Sequence, residues 1–195
     1  MVYILTMLSA TMFNRSIEEA HSYAVLALKQ GGNAIDATMG NGNDTLFLAQ
    51  LAEHVYAFDI QADALQKTQA LLDKHHINNV DLILDSHVHM IKYIKKPIQL
   101  IVFNLGYLPN SDTTIKTQAD TTSAAIKEAL KILDSGGYLV LTLYIGHDEG
   151  VIEAEAVEMI LKTLHPKQFT VKKTKILNRN KAPFNIIVYK HTTKE

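Results

Sequence analysis

The sequence predicts an α/β fold, with a seven-stranded, mostly parallel sheet, helices on both faces and a C-terminal antiparallel hairpin. Two observations predict it. Short apolar runs alternate with helical stretches over most of the chain, as in parallel strands joined by helical crossovers. The last two apolar runs, 169–177 and 184–189, follow one another without a helical stretch between them, so this pair must form a hairpin.

Composition places the chain among ordinary globular proteins. It has 195 residues, 47% of them hydrophobic and 20% charged, and we interpret 1–195 as a single domain. It contains no cysteine, which excludes disulfides, thiolate metal ligands and cysteine nucleophiles and is compatible with the reducing cytoplasm that we expect. Residues 1–13 are apolar but too short to span a bilayer and lack a basic leader, so we interpret them as the first buried segment.

Start and stop signals define the predicted helices. Ser16 and Glu19 fit a capping box, Gly31 and Gly32 follow the end of that first helix, and Pro166 halts the last one. The predicted helices are 16–29, 44–52, 62–75, a short one at 88–94, 121–133 and 150–164.

The predicted strands are short apolar runs, and four of them end at a polar residue. They are 33–38, 54–58, 80–84, 98–103, 138–144, 169–177 and 184–189. In open α/β sheets, ligands bind beyond the carboxyl ends of the strands, at the point where the strand order reverses. We therefore searched these strand ends for a site.

A glycine loop, 36–44, follows the first strand. Gly40 and Gly42 lack a Cβ, which permits a tight turn and close approach of the backbone to a ligand. Asn41 and Asn43 tolerate left-handed conformations and can bind a ligand through their amides. These features predict a nucleotide-cofactor loop, although a glycine pair alone also fits a plain strand-to-helix turn.

The residues around this loop indicate which cofactor it holds. Thr45 occupies the position of the third glycine of the dinucleotide fingerprint, and Asp36 and Asp44 bracket the turn. Carboxylates repel a pyrophosphate but suit a sulfonium and an α-amino group. The predicted cofactor is therefore S-adenosylmethionine rather than NAD.

The next two strand ends complete the predicted cofactor site. Asp59 is placed to accept from ribose hydroxyls, with Gln61 beside it, although Asp59 alone also fits a helix cap. Asp85 can accept from the adenine amino group, the Ser86 N–H can donate to a ring nitrogen, and His87 can stack on the base. The alternative for His87 is a loop histidine without a role.

The loop after the fourth strand predicts the acceptor site. Amino-methylating enzymes carry Asn/Asp-Pro-Pro-Tyr here, with the first side chain accepting from the target nitrogen. Asn104 and Tyr107 match this pattern, whereas Leu105 and Gly106 replace the prolines. The alternative is a loop that only closes the cofactor pocket.

Four strings of residues together resemble the bacterial tRNA 5-(aminomethyl)-2-thiouridine methyltransferase family, a group once labelled rRNA methylases. They are Asp36-Ala37-Thr38-Met39-Gly40-Asn41-Gly42-Asn43-Asp44-Thr45, Phe103-Asn104-Leu105-Gly106-Tyr107-Leu108-Pro109, Tyr144-Ile145-Gly146-His147, and Asn178-Arg179 with Ala182-Pro183. The resemblance covers nearly the whole chain. It implies the Rossmann-like class I fold, S-adenosylmethionine dependence, methyl transfer to the aminomethyl nitrogen of a tRNA wobble uridine, and a homodimer.

With an amine as the implied acceptor, the end of the fifth strand offers further catalytic candidates. Tyr144, His147 and Asp148 can join Asn104 and Tyr107 in accepting the proton or the hydrogen bonds of the amine. An imidazole titrates near neutral pH, which suits a general base. The alternative is that the segment around His147 only begins a helix.

The C-terminal segment supplies candidates for RNA binding. Residues 165–195 carry eight Lys or Arg against one acid, Glu195. We predict that Lys175, Arg179 and Lys181 contact the phosphates of the anticodon stem-loop. A solvated, lysine-rich strand face explains the same pattern without RNA.

Other functions remain open at this stage. The main alternative is a methyltransferase acting on another RNA or on a small molecule, since the cofactor site is common to all. An NAD-dependent oxidoreductase and a binding module without catalysis are weaker alternatives. We predict no metal site, because no acid completes a motif with the histidines at 75–76 or 87 and 89.

Overall fold

A computed structural model describes residues 16–106 and 119–192. The apolar segment 1–13 and the predicted catalytic Tyr107 lie outside the described residues. Within those ranges, seven strands form one sheet in the order β3-β2-β1-β4-β5-β7-β6. The strands are β1 (Asn33–Asp36), β2 (His54–Asp59), β3 (Val80–Leu84), β4 (Ile98–Leu105), β5 (Leu133–Leu143), β6 (Phe169–Thr174) and β7 (Phe184–Lys190).

Helices connect the strands and differ from the predicted ranges by a few residues at their ends. They are α1 (Ser16–Ala27), α2 (Asn43–Ala49), α3 (Ala62–Lys74), α4 (Ala119–Ile132) and α5 (Asp148–Lys162). The short helix predicted at 88–94 is a 3₁₀ helix, His87–Lys92. No described helix has the length and apolar character needed to cross a membrane.

The sheet topology confirms the predicted fold class. Strands β1 to β5 pair in parallel, whereas β7 runs antiparallel to both β5 and β6. The chain winds outward from β1 to β3 and then returns to place β4 on the other side of β1. This reversal opens a crevice at the carboxyl ends of β1 and β4.

Two apolar cores lie on the two faces of the sheet. One contains Ile35 and Phe103 with Ile126 of α4, and the other contains Ala34 with Leu48 of α2. Neighbouring residues of β1 thus enter opposite cores, as the two-residue repeat of a strand requires. Burial on both faces explains why the central strand β4 is apolar at nearly every position.

Two local predictions at element ends are wrong. Ser16 and Glu19 form no capping box: the Ser16 hydroxyl donates to the Pro183 carbonyl, 2.8 Å away, and Glu19 accepts from the Asn185 amide. Contacts with the β7 segment therefore replace the local cap. Strand β5 begins at Leu133 rather than at Tyr138, because a register shift lets the chain pair with β4 before and after it.

Candidate cofactor and acceptor site

A cavity of about 850 Å³ opens at the carboxyl ends of the parallel strands. The structure brings twelve of the predicted site residues together in its wall, although they come from six separate segments of the chain. They are Gly40, Asn41, Asn43, Asp59, Gln61, Asp85, Ser86, His87, Asn104, Tyr144, His147 and Lys181.

Four predicted residues do not line this cavity. Asp36 and Gly42 are buried, and Lys175 and Arg179 are exposed on the connection between β6 and β7.

Asp36 holds the glycine loop rather than facing the cavity. Its carboxylate is buried and accepts from the Thr38 N–H at 3.1 Å and the Thr45 hydroxyl at 2.7 Å. Burial raises the pKa of Asp36 to about 7, and the charge of Asp44 adds to this shift. Of the two acids that bracket the loop, only Asp44 therefore reaches the cavity wall.

This raised pKa predicts a pH-dependent stability that Asp36→Asn removes. The folded protein holds a proton on Asp36 up to about pH 7, whereas the unfolded chain releases it near pH 4. The folded state therefore binds more protons in this window, and its free energy of unfolding falls as pH rises through it, by at most about 1.4 kcal/mol per pH unit. Denaturant unfolding at several pH values should show a shallower fall in Asp36→Asn. The exposed Asp63→Asn is the control, and identical slopes in Asp36→Asn and the wild type contradict the assignment.

Backbone geometry explains both glycines of the loop, since Gly40, with a φ of 53°, is also in the left-handed region. Gly42 has a φ of 80° and is the N-cap residue of α2. A Cβ at this position would lie 2.7 Å from the Thr68 hydroxyl and 3.0 Å from the Thr68 Cα. Only glycine therefore combines this left-handed backbone with the close packing of α3 against the loop.

Asp59 joins the glycine loop to the second strand. One carboxylate oxygen accepts from the Gly40 N–H and the other from the Gln61 N–H, each at 3.0 Å. Since each oxygen of an ionised carboxylate has two acceptor positions, Asp59 can hold the loop and still accept from two hydroxyls of a ligand.

Asp85 is bound by two side chains that the sequence did not suggest. His89 donates to one of its oxygens at 2.8 Å and the Tyr93 hydroxyl donates to the other at 2.8 Å. These hydrogen bonds, His89 first, lower the pKa of Asp85 to about 2. The carboxylate is therefore ionised, fixed in orientation and able to accept at the cavity wall.

His87 lines the cavity, and its surroundings determine which ring nitrogen carries the proton. Its Nδ1 lies 2.9 Å from the Ala37 carbonyl, which can only accept, so Nδ1 carries the proton. Burial lowers the pKa of His87, which keeps the ring neutral and leaves Nε2 as an acceptor. This Nε2 is buried and has no hydrogen-bond partner in ranges 16–106 and 119–192.

The acceptor corner is built around Asn104. Its backbone N–H donates to the Thr38 hydroxyl at 2.7 Å, and its Nδ2 donates to one oxygen of Asp44. The other Asp44 oxygen lies 2.6 Å from Nε2 of His21, a residue of α1 that the sequence did not suggest. Burial, followed by the charge of Asp44, raises the pKa of Tyr144, so its hydroxyl keeps its proton at neutral pH.

His147 is the N-cap residue of α5. Its Nδ1 accepts from the Gly150 N–H at 3.0 Å. A neutral ring in this arrangement carries its proton on Nε2. The side chain therefore begins the helix, as the sequence allowed, and also lines the cavity.

The charges of the cavity fit a cationic cofactor. Three carboxylates, those of Asp44, Asp59 and Asp85, line it, and Lys181 is the one lysine or arginine in the part of the wall that the structure describes. The carboxylate of Asp85 suits an adenine amino group, and Asp59 suits a ribose. The residues therefore fit S-adenosylmethionine as predicted.

Several known proteins are similar to this chain in sequence and architecture. Residues 55–190 match the family model described as "Putative rRNA methylase". The chain is 36% identical, over 90% of its length and 69% of the other protein's, to "tRNA (mnm(5)s(2)U34)-methyltransferase, chloroplastic" of Arabidopsis thaliana.

Two solved structures are also similar to this chain in sequence and in fold. The "putative rRNA-methylase" of Clostridium thermocellum is 38% identical, with a TM-score of 0.88, and covers 91% of this chain and 98% of that one. SMU.1697c of Streptococcus mutans, "a putative methyltransferase" in complex with SAH, is 45% identical, with a TM-score of 0.85 and the same coverage. These relatives confirm the predicted family, fold and S-adenosylmethionine-dependent class. The two solved structures have the same fold as this chain, and the chain belongs to the family described as "Putative rRNA methylase".

Proposed function

We propose that this protein methylates the aminomethyl nitrogen of 5-aminomethyl-2-thiouridine at the wobble position of tRNA. The observation that supports this acceptor is the orientation of the Asn104 amide. A carboxylate can only accept hydrogen bonds, so the amide nitrogen of Asn104 must face Asp44. The amide oxygen is then the atom that accepts an N–H from a substrate amine. The Arabidopsis relative is named for a tRNA substrate of this type.

The acceptor must be a neutral amine. A primary alkylamine is mostly protonated at pH 7, as lysine is, and only its neutral form has a nitrogen lone pair to attack with. S-adenosylmethionine would supply an electrophilic methyl group when bound: the bond from the methyl carbon to the sulfonium sulfur would break as the N–C bond forms, with S-adenosylhomocysteine as the leaving group. The nitrogen, now an ammonium, would then pass one proton to His147 or to water. Asn104 orients the amine by accepting one N–H, while Tyr144 and His147 line the same cavity. Proximity and in-line geometry then supply much of the rate acceleration.

We propose two roles for His147: its side chain caps α5, and its imidazole takes the proton that the substrate amine loses. Two substitutions separate these roles. Asn is a good N-cap residue, so His147→Asn preserves the start of α5 but removes the imidazole, whereas His147→Ala removes both. Because Nδ1 is the acceptor nitrogen of the neutral ring and already binds the Gly150 N–H, we propose that His147 exchanges this contact for the amine proton during the reaction. We expect both variants to lower turnover about 10- to 100-fold, within the usual range for a group that assists proton transfer, and to leave cofactor affinity unchanged. Normal turnover in His147→Asn excludes a role for the imidazole. A lower melting temperature in His147→Ala but not in His147→Asn shows that the His147 side chain stabilises the start of α5.

Three cations form the proposed RNA contact. Lys175, Arg179 and Lys181 are exposed on the connection between β6 and β7, and Lys181 also lines the cavity. Leu177, in the same connection, has 89% of its surface exposed. An RNA loop that inserts one base into the cavity would bring its phosphates alongside this segment. Recognition of single-stranded loops uses such backbone charge together with stacking on the base.

Arg179→Ala tests this contact through its salt dependence. If Arg179 neutralises one phosphate, the slope of log binding constant against log salt concentration should become shallower by roughly 0.7 to 0.9. Fluorescence anisotropy with an anticodon stem-loop measures this slope. Lys29→Ala is the matched control, because Lys29 is also exposed but precedes β1 and so lies at the opposite end of the sheet. Equal slopes in wild type and Arg179→Ala contradict the contact.

Labelled transfer tests the proposed function as a whole. The protein is incubated with methyl-labelled S-adenosylmethionine and tRNA carrying the aminomethyl group, and the nucleosides are separated and identified by mass. We expect label in the wobble nucleoside and none in tRNA lacking the aminomethyl group. Label in rRNA or in a small molecule, with none in this tRNA, overturns the proposal in favour of another acceptor. We also propose a homodimer, which sedimentation velocity measures.

A further inference from the structure

We propose that His21 is a positioning residue of this site, acting through Asp44 to hold the Asn104 amide in the orientation that accepts the substrate amine. The inference rests on the proposed function, because it assumes an acceptor N–H opposite Asn104. Three side chains from three separate elements form the chain of contacts: His21 from α1, Asp44 from α2 and Asn104 from β4.

The direction of each hydrogen bond follows from Asp44. The two oxygens of its carboxylate are divided between Nε2 of His21, 2.6 Å from one, and Nδ2 of Asn104, bound to the other. Because an ionised carboxylate only accepts, both partners must donate. His21 satisfies this with a proton on Nε2, and Asn104 with its NH₂ group, which turns the Asn104 oxygen away from Asp44.

The ring of His21 is itself held in place. It stacks on the Phe47 ring at a centroid separation of 3.9 Å and an interplanar angle of 11°. Helix α1, which carries His21, is tied to β7 near its first turn, where the buried Asn185 donates to the Ser16 carbonyl and to Glu19. The donor that reaches Asp44 therefore comes from a rigid support.

Removal of this donor should release the amide. Without His21, the Asp44 carboxylate can rotate about its side-chain bond, and the Asn104 amide can turn over. A turned amide presents NH₂ to a substrate that itself offers N–H, so two donors face one another. Asp44 keeps its place in the cavity wall and its negative charge without His21, and the proposed cofactor contacts of Asp59 and Asp85 do not involve His21. The cost should therefore fall on turnover rather than on cofactor binding.

The test compares His21→Leu with His21→Gln. Leu keeps the bulk and the helix but has no donor, whereas the Gln side chain places an amide nitrogen at a similar reach. We expect His21→Leu to lower kcat about tenfold, the loss of one well-placed hydrogen bond, while KM for tRNA and cofactor affinity stay within about twofold. We expect His21→Gln to recover most of this loss. His54→Leu is the matched control, since His54 also pairs with an aspartate, Asp81 at 3.0 Å, at the start of β2 and away from the cavity.

A second measurement does not depend on turnover. In protein labelled with ¹⁵N-asparagine, the side-chain NH₂ signal of Asn104 is identified by its loss in Asn104→Ala. It should shift or broaden in His21→Leu, return in His21→Gln and stay unchanged in His54→Leu. An unchanged Asn104 signal in His21→Leu, or a kcat equal to that of wild type, overturns the inference. Failure of the wild type to methylate the aminomethyl tRNA instead overturns the proposed function, and the Asn104 signal still tests the positioning.

Discussion

Replacement of Asn104 by alanine should lower turnover about 100-fold, the usual cost of removing one preorganised hydrogen-bonding group from a reacting centre. The amide oxygen of Asn104 is the acceptor that aligns the substrate amine, and Asp44 fixes its direction. Alanine removes the acceptor and leaves Asp44 without that donor. The measurement is single-turnover methyl transfer with saturating cofactor.

The matched control for Asn104→Ala is Asn79→Ala. The Asn79 amide donates to the carbonyls of Ala49 and Ala52, next to the start of β2 and remote from the cavity. We expect Asn79→Ala to lower the melting temperature and leave kcat unchanged. We expect Asn104→Ala to lower kcat and leave the melting temperature unchanged. Cofactor affinity, measured by calorimetry, should survive in both. A kcat within threefold of wild type in Asn104→Ala, a small part of the expected effect, contradicts the acceptor role.

Replacement of Asp59 by alanine should weaken S-adenosylmethionine binding about 100-fold or more. Hydrogen bonds to a charged group contribute roughly 1.5 to 3 kcal/mol each, and about 1.4 kcal/mol corresponds to tenfold in affinity. Alanine removes the proposed ribose contacts. It also releases the backbone N–H groups of Gly40 and Gln61, so the loop loses its connection to β2. Calorimetric titration with S-adenosylmethionine measures the loss.

Asp63→Ala is the control for Asp59→Ala. Asp63 lies four residues further along the chain, its side chain has 59% of its surface exposed, and it pairs only with Lys67 in the contacts that the structure describes. We expect unchanged cofactor affinity in Asp63→Ala and an unchanged circular dichroism spectrum in both variants. If Asp59→Ala binds the cofactor as wild type does, then Asp59 serves only as the cap that its sequence position also allowed.

The predictable part of the fold depended on periodicity. Alternation of apolar runs with helical stretches predicted the parallel strands, and the missing helix between the last two runs predicted the antiparallel β7. The ends of elements were less predictable. Ser16 and Glu19 have the right chemistry and spacing for a local cap, but Pro183 and Asn185 compete for the same atoms from 167 and 166 residues away. No local pattern records such a competitor.

The candidate site also has a part that the sequence predicted and a part that only distant contacts determine. Strand ends were predictable, so the residues that follow β1 to β5 could be assigned to one cavity before any coordinates. The sequence could not say which of two acids faces that cavity, since Asp36 and Asp44 flank the same loop with equal charge. The structure buries Asp36 under the loop and places Asp44 in the cavity wall. Likewise, His89 and Tyr93 reach Asp85 only because the 3₁₀ helix His87–Lys92 folds back on the end of β3.

By itself, therefore, the sequence determined which polar residues follow the strands, where the glycine turn lies and which class of cofactor fits it. These features follow from local spacing and residue chemistry. The tertiary structure alone decided the direction of each hydrogen bond at the acceptor corner. His21, Asp44 and Asn104 come from separate elements and meet only when α1 packs across the sheet. Because the Asp44 carboxylate can only accept, it binds the amide nitrogen of Asn104 and leaves the amide oxygen for the substrate.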